Sequence, residues 1–335
     1  MHRVQDNSTK ISVIIVTWNS QEYIKQCLDS IISEQIRNHI IEIIIVDNNS
    51  SDDTLAILRK ISDISIIENR INIGFCAANN IGILRSSGEY VLLINPDVVL
   101  SYGFISNAID ILKNNPQVAL LTGKILLMNG ERTPKTKDDQ AIIDTVGIKM
   151  YRNRQAVDIG QGEIDQGQYD KAQDVFGVSA AVCLCRRQAL MDAMIDGQVF
   201  DNTFFAYKED VDLSWRLGLF GWKCWYTPQV VAFHARGWKT GLKHRSEIPR
   251  IVRYYSFKNR RIMILKNDTL KTILPDIFHI LWFELQAFIY ILVKEQFLLK
   301  AYWEIIKDVP RIRQWRREIH RRSRIRSVSQ EIEIK

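Results

Sequence analysis

The sequence predicts an α/β protein, a doubly wound, mostly parallel sheet of Rossmann-like type that carries a C-terminal helical extension. Three observations lead there. Continuous β-branched runs alternate with helically spaced segments over the first 120 residues. Three of those runs end in polar clusters, and beyond residue 250 the texture turns helical, aromatic and basic. Strands buried on both faces and separated by helices are the mark of a parallel sheet covered on both sides.

The elements follow in order. Residues 11–17 form a β-branched run that reads as a buried strand, and 23–32 follow with helical spacing. A second buried strand covers 42–46, then a Ser/Asp-rich turn leads to a helix over 54–61. A short strand at 64–67, a helix at 75–86 and an apolar strand at 90–94 complete the alternation. The region 118–200 mixes short strands with polar segments, of which 135–140 and 160–170 read as exposed loops. Residues 201–217 open a helix with Glu209, Asp210 and Asp212 in its first turn. The helix dipole favours acids there in any case, but the apolar stretch 204–207 reads as a buried strand that delivers them into a pocket. Apolar runs at 222–226 and 230–233 lead to His234.

At 335 residues the chain exceeds the usual single domain. The expected division is a first α/β half at 1–120, a second half at 121–250, and amphipathic helices with a basic tail at 251–335. Net charge is +7, and residues 311–335 hold nine Lys/Arg against three Glu, so the body is close to neutral. The five cysteines sit mostly in apolar runs, and Cys183 and Cys185 alternate as in a strand, which fits reduced thiols in a cytoplasm. No apolar signal core precedes the first strand, so secretion is not expected.

In a doubly wound sheet ligands bind beyond the carboxyl ends of the strands. Those positions hold Thr17-Trp18-Asn19, Asp47-Asn48-Asn49-Ser50 and Asn95-Pro96-Asp97. A single such cluster would be an ordinary turn or helix cap; three on one edge predict a binding site. It is not a dinucleotide site, because the first strand-to-helix turn holds no glycine to cradle a pyrophosphate.

Beyond residue 254 a basic helix covers 254–266, and 277–293 carries one charge, Glu284. Glu284, His279 and Gln286 interrupt a run that is short for a spanning helix. Two amphipathic helices at 270–294 and 296–307 are expected to lie on a membrane surface. Trp282, Tyr290, Tyr302 and Trp303 would serve as anchors, and the 311–326 tail would attract headgroups. The same helices would also suit a homodimer interface. The aromatics near the tail are apolar-periodic rather than interleaved with arginine, which argues against nucleic acid as partner.

Taken together these stretches resemble glycosyltransferase family 2, a GT-A fold, and within it the rhamnosyltransferase-like branch. The resemblance runs over about 11–265. It rests on Ile11-Ser12-Val13-Ile14-Ile15-Val16-Thr17-Trp18-Asn19, on Ile44-Ile45-Val46-Asp47-Asn48-Asn49-Ser50 and on Asn72-Ile73-Gly74-Phe75-Cys76-Ala77-Ala78-Asn79-Asn80. Leu93-Ile94-Asn95-Pro96-Asp97, Glu209-Asp210-Val211-Asp212-Leu213 and Val231-Ala232-Phe233-His234 complete it.

The resemblance implies an inverting transfer of a sugar, rhamnose in that branch, from a UDP- or dTDP-linked donor to a hydroxyl of a lipid-linked or cell-surface glycan. The enzyme would sit on the cytoplasmic face of the plasma membrane. Asp47 would accept the N3–H of the base while 17–19 close over it; Asn49, Gly74, Asn79 and Asn95 would border the donor, with Trp238 and Lys239 over its diphosphate. Asp97 and His234 would hold Mn²⁺ or Mg²⁺, although Asn95 stands where the family carries the first acid of Asp-x-Asp. Asp210 would be the general base; Glu209 and Asp212 would position the acceptor or brace the loop, with Arg216 as the partner of Asp212. The rival readings are a nucleotidyltransferase, which would bring a Gly-rich basic loop after its first strand, and a non-catalytic protein binding nucleotide sugars or nucleic acid.

Overall fold

The structure, a computed structural model, describes residues 9–34, 39–128, 136–137, 140–235 and 242–333. Strands β1 (Thr9–Thr17), β2 (His39–Asp47), β3 (Ile64–Glu68) and β4 (Tyr90–Ile94) are parallel. Helices α1 (Ile24–Ile32), α2 (Thr54–Leu58) and α3 (Gly74–Arg85) connect them. There follow β5 (Val98–Leu100), α4 (Phe104–Asn114), β6 (Val118–Leu127), β7 (Ile143–Thr145), β8 (Gln173–Val175) and β9 (Val182–Arg186). Then come α5 (Arg187–Ala193), α6 (Glu209–Leu219), β10 (Lys223–His234), α7 (Arg250–Asn267), α8 (Leu270–Lys294) and α9 (Leu299–Glu333).

The ten strands make one sheet in the order β8-β10-β6-β9-β4-β1-β2-β3, with β5 added to β10 and β7 to β6. β9 runs antiparallel to both β4 and β6, and β10 runs parallel to β6. The carboxyl end of β10 therefore reaches the same edge as those of β1, β2 and β4. Both faces of the sheet are covered. Ile11, Val13 and Ile15 pack with α1 and α4 on one side, whereas Ile14 packs with Cys76 and Ile83 of α3 on the other. Alternate side chains of a strand face opposite ways, so a strand covered twice has to be apolar throughout.

The early elements agree with the expectation within a few residues, although β2 starts earlier and α2 ends sooner than the patterns suggest. No expected element corresponds to β5, whose three residues are too few to show a period, or to α4. The stretch 204–207 is not a strand. Asn202–Phe204 is a 3₁₀ turn, and Phe205, Tyr207 and Lys208 follow with positive φ. Within 135–140, Thr136–Lys137 pairs with Gln140–Ala141, and the other positions lie outside the described residues.

The C-terminal region divides differently from the expectation. α7 is part of the body, since Ile262 and Met263 share a core with β4, β9, α5 and α6. α8 begins at a capping box made by Thr269 and Thr272 and has a mean hydropathy of 1.5 over its most apolar 18 residues. Many of its large side chains, among them Phe278, Trp282 and Val293, are exposed, while Ile280 and Ile291 are buried. By length and composition it could also cross a membrane. The basic tail continues α9, and its first half is docked. Trp315 and Ile319 are buried with Ile195 and Phe220, Arg311 pairs with Asp201, and Arg322 donates to the carbonyls of Asp192 and Met194. Several arginines read as headgroup ligands thus hold the helix to the protein.

Candidate active site

The shared edge opens on a cavity of about 1070 Å³, bordered by Asn95, Asp97, Glu209, Asp210 and His234 on the sheet side and by α7 and α8 opposite. Asp97 and His234, far apart in sequence, meet because β5 pairs antiparallel with β10 in a register that sets Val98 against His234. His234 Nε2 lies 3.4 Å from the Asp97 carboxylate, and its Nδ1 lies 2.8 Å from Asp144, a buried acid on β7. Burial disfavours a charged ring, but the hydrogen bonds to Asp144 and Asp97 outweigh it and lift the imidazole to about 9. A carboxylate behind an imidazole whose other nitrogen faces a second carboxylate is how metal-binding histidines are commonly oriented.

The pair fits a divalent cation that takes its remaining ligands from a diphosphate and water. Among the described residues no third His, Cys, Asp or Glu completes a protein-only cage. The only sign of Asp144 in the sequence is a single carboxylate within the apolar run 142–146.

Glu209 and Asp210 open α6, with Glu209 buried and Asp210 half-buried at the cavity. Burial, reinforced by the charge of Asp210, pushes Glu209 up to about 8, and its Oε2 has no hydrogen-bond partner. Burial also raises Asp210, against the charge of Lys208 and with that of Asp158. Two close carboxylates in a dry site cannot both ionise cheaply, and Glu209 is the more deeply enclosed of the two, which favours its neutral form.

The loop before them is clamped from two sides. Asn259 of α7 directs its Nδ2 at the carbonyls of Phe204, Ala206 and Tyr207, at 2.8–2.9 Å. From α3, Cys76 N–H donates to the Phe205 carbonyl, and Asn80 bonds both to Phe200 and to Asn202. Gly74 has φ +86°, and a Cβ there would come within 2.5 Å of the Phe205 ring and 2.7 Å of its carbonyl oxygen. The glycine is required by that close approach.

Asp212 and Arg216 are wholly buried, so neither reaches the cavity. Asp212 accepts from Lys266 Nζ (3.0 Å) and Asn267 Nδ2 (2.8 Å), and Lys266 also pairs with Asp201 at 2.7 Å. Arg216 lies at 3.4 Å from Asp212 and gives its shorter bonds to the carbonyls of Ala193 and Val199. Of the two roles expected for Asp212, acceptor contact and bracing, the geometry has only bracing, with Lys266 as the closer partner.

At the donor edge Thr17 Oγ1 donates to Asp47 at 2.8 Å, and the Ser50 amide and hydroxyl also donate to that carboxylate. Asp47 is thereby closed to solvent and braces the β1–β2 edge, in contrast to the open base reader expected. Asn19 and Asn49 are exposed with positive φ. Asn79 turns inward onto the Phe75 carbonyl, so its neighbour Asn80 makes the longer-range contacts. Trp238 and Lys239 lie outside the described residues.

Residues 12–191 match the family model for glycosyl transferase family 2. The chain belongs to this family. It is 32% identical over 148 residues to the poly(ribitol-phosphate) beta-glucosyltransferase of Bacillus spizizenii, covering 42% of this chain and 23% of that one. It is 26% identical over 250 residues to the N-acetylglucosaminyl-diphospho-decaprenol L-rhamnosyltransferase of Mycobacterium tuberculosis, covering 69% and 78%. The chain spans between 23% and 49% of the length of the first curated relatives it matches. A solved mannosyltransferase from Pyrobaculum calidifontis, in complex with GDP-Man and Mn²⁺, superposes with a TM-score of 0.53 at 15% identity over 96% of this chain and 86% of that one. Together the family match and this likeness make the fold GT-A.

Proposed function

We propose that the protein is a metal-dependent, inverting glycosyltransferase that moves a sugar from a nucleotide-diphosphate donor to a hydroxyl of a lipid-linked or cell-surface glycan. The observation that carries this reading is the half-exposed carboxylate of Asp210, which shares one cavity with Asp97 and His234. Asp97 and His234 would hold Mn²⁺ or Mg²⁺, which would neutralise charge growing on the departing diphosphate. The imidazole nitrogen favours Mn²⁺ over the all-oxygen preference of Mg²⁺.

Asp210 accepts the proton of the acceptor hydroxyl as that oxygen attacks the anomeric carbon. The new C–O bond forms opposite the breaking bond to the diphosphate, so one displacement inverts the centre. Proton acceptance by a positioned carboxylate contributes ~10²–10⁴-fold. Glu209, kept neutral, lets Asp210 carry the charge without a second anion beside it. The uridine or thymidine base docks beside Trp18 and Asn19, at the strand edge that Asp47 braces. Rhamnose is the sugar favoured by the likeness to the mycobacterial relative. The exposed apolar surface of α8 supports a place at a membrane surface, which for this reaction would be the cytoplasmic face of the plasma membrane.

The test is a donor panel. The full chain is incubated with Mn²⁺ and UDP- or dTDP-linked sugars, and nucleoside diphosphate release is scored with and without Asp210→Asn. Metal-dependent release from one donor, lost in the variant, is expected. A folded protein that binds no nucleotide sugar would overturn the reading.

A further inference from the structure

The wall of the cavity opposite Asp210 is basic. Arg245, Arg253, Arg260 and Arg261 all line it. Their carboxylate partners stand behind them, Glu295 taking Arg245 and Arg253, and Glu284 taking Arg260 and Arg261. Four guanidinium groups against two carboxylates leave two positive charges facing the space. All four guanidiniums lie over aromatic rings, Arg245 over Tyr290, Arg253 over Phe297, Arg260 over Phe283 and Arg261 over Phe257. Such stacking fixes the planar group; Arg260 spends its donors on Glu284 and on the carbonyls of Asn153 and Arg154. Arg253 and Arg261 each keep a buried Nε–H with no hydrogen-bond partner, and buried donors in native proteins seldom stay unused.

α8 links this wall to the outside. Phe283, Gln286, Ala287 and Tyr290 line the cavity, while Phe278, Leu281, Trp282, Leu285 and Ile289 of the same helix are exposed. A cavity of about 1070 Å³ is at the upper end of ligand pockets, roughly 300–1,000 Å³, and holds more than one sugar ring.

We propose that the arginine wall seats the phosphate or diphosphate of a lipid-linked acceptor, whose sugar points to Asp210 and whose hydrocarbon chain runs out along α8. This rests on the glycosyltransferase reading above and names its acceptor class. The charge layout fixes the direction. Asp210 and Asp158 border the far side, so the phosphate is repelled there and drawn to the arginines. Planar guanidinium groups with free donors suit phosphate oxygens better than a neutral glycan does, and the exposed apolar helix suits a carrier that stays in the bilayer.

The test uses the full chain saturated with Mn²⁺ and whichever of UDP or dTDP it binds, so that the donor diphosphate position is filled. Binding of tritiated farnesyl diphosphate, below its micelle concentration, is compared with that of inorganic pyrophosphate and of farnesol. Farnesyl diphosphate is expected to bind beside the nucleotide, at least tenfold more tightly than either fragment. Arg253→Gln and Arg261→Gln should each weaken it about tenfold. Arg253→Lys and Arg261→Lys, which keep the charge facing Glu295 and Glu284, guard against misfolding and should weaken it less. Equal binding of pyrophosphate would overturn the lipid carrier, and equal binding of farnesol would overturn the phosphate seat. No binding, or binding indifferent to all four variants, would overturn the proposal while nucleotide binding leaves the enzyme class standing. Failure of nucleotide binding itself would remove the reading on which it rests.

Discussion

Lys266 is a point at which the C-terminal helices are joined to α6, and Lys266→Met tests whether that joint matters. The ammonium group is wholly buried, 2.7 Å from Asp201 and 3.0 Å from Asp212, and lies over the rings of Phe204 and Trp315. Methionine keeps the volume and removes the charge. Breaking a buried ion pair from one side costs about 3–5 kcal/mol. Each carboxylate keeps another partner, Arg311 for Asp201 and Asn267 for Asp212, so the loss should stay within that range although two pairs are broken. At ~2–4 °C per kcal/mol the melting temperature falls by roughly 10 °C.

The pH dependence carries a second signature. Burial would raise the Asp201 carboxyl, but Lys266 and Arg311 outweigh it and hold it well below the usual range. A carboxylate depressed on folding adds stability in full above its unfolded value of about 4, and that stability is lost as pH falls towards the folded value. Lys266→Met should flatten this acid-side decline. Urea unfolding at neutral and acid pH reads both effects. A cost under about 1 kcal/mol at neutral pH, with the acid decline unchanged, would refute the joint.

Three further outcomes are expected. Asp144→Asn loosens His234, so the Mn²⁺ concentration for half-maximal donor turnover should rise ~10–100-fold; an unchanged metal titration removes Asp144 from the site. The value of kcat/KM should rise with pH along a limb displaced above the ordinary carboxylate range, because Asp210 must be ionised and burial raises it; a rate flat above about pH 4 contradicts the general base. Asn259→Ala frees the loop that presents Glu209 and Asp210, so turnover should fall ~10–100-fold while nucleotide affinity holds. Equal losses in turnover and nucleotide affinity would mean a general loss of structure instead.

The doubly wound half of the fold was legible because both faces of β1, β2 and β4 are covered, and a short unbroken apolar run bounded by turn residues fits a strand buried on both sides. The polar residues at their ends were legible for the same reason, since a sheet edge is a position that periodicity locates. The acids at the start of α6 were visible as a cluster in one helical turn, but their separate surroundings were not. Which of Glu209 and Asp210 is shut away depends on how the 205–208 loop turns under Asn259 and Cys76.

Asp47 and Asn79 show the converse. Polarity at a strand end or helix face marks a candidate, yet three donors close Asp47 to solvent and the Phe75 carbonyl takes up Asn79. The basic tail showed the limit of charge as a guide, because composition does not distinguish an arginine that meets a headgroup from one that meets Asp201.

By itself the sequence determined the alternation of strand and helix, the family, and the residue types at the active edge, all of which follow from local periodicity and short motifs. Tertiary structure alone decided the pairing of β5 with β10 that joins Asp97 to His234, the carboxylate of Asp144 behind that ring, and the arginine wall opposite Asp210. These are contacts between residues distant in sequence. They depend on strand order and helix docking, and no local pattern in the chain carries that information.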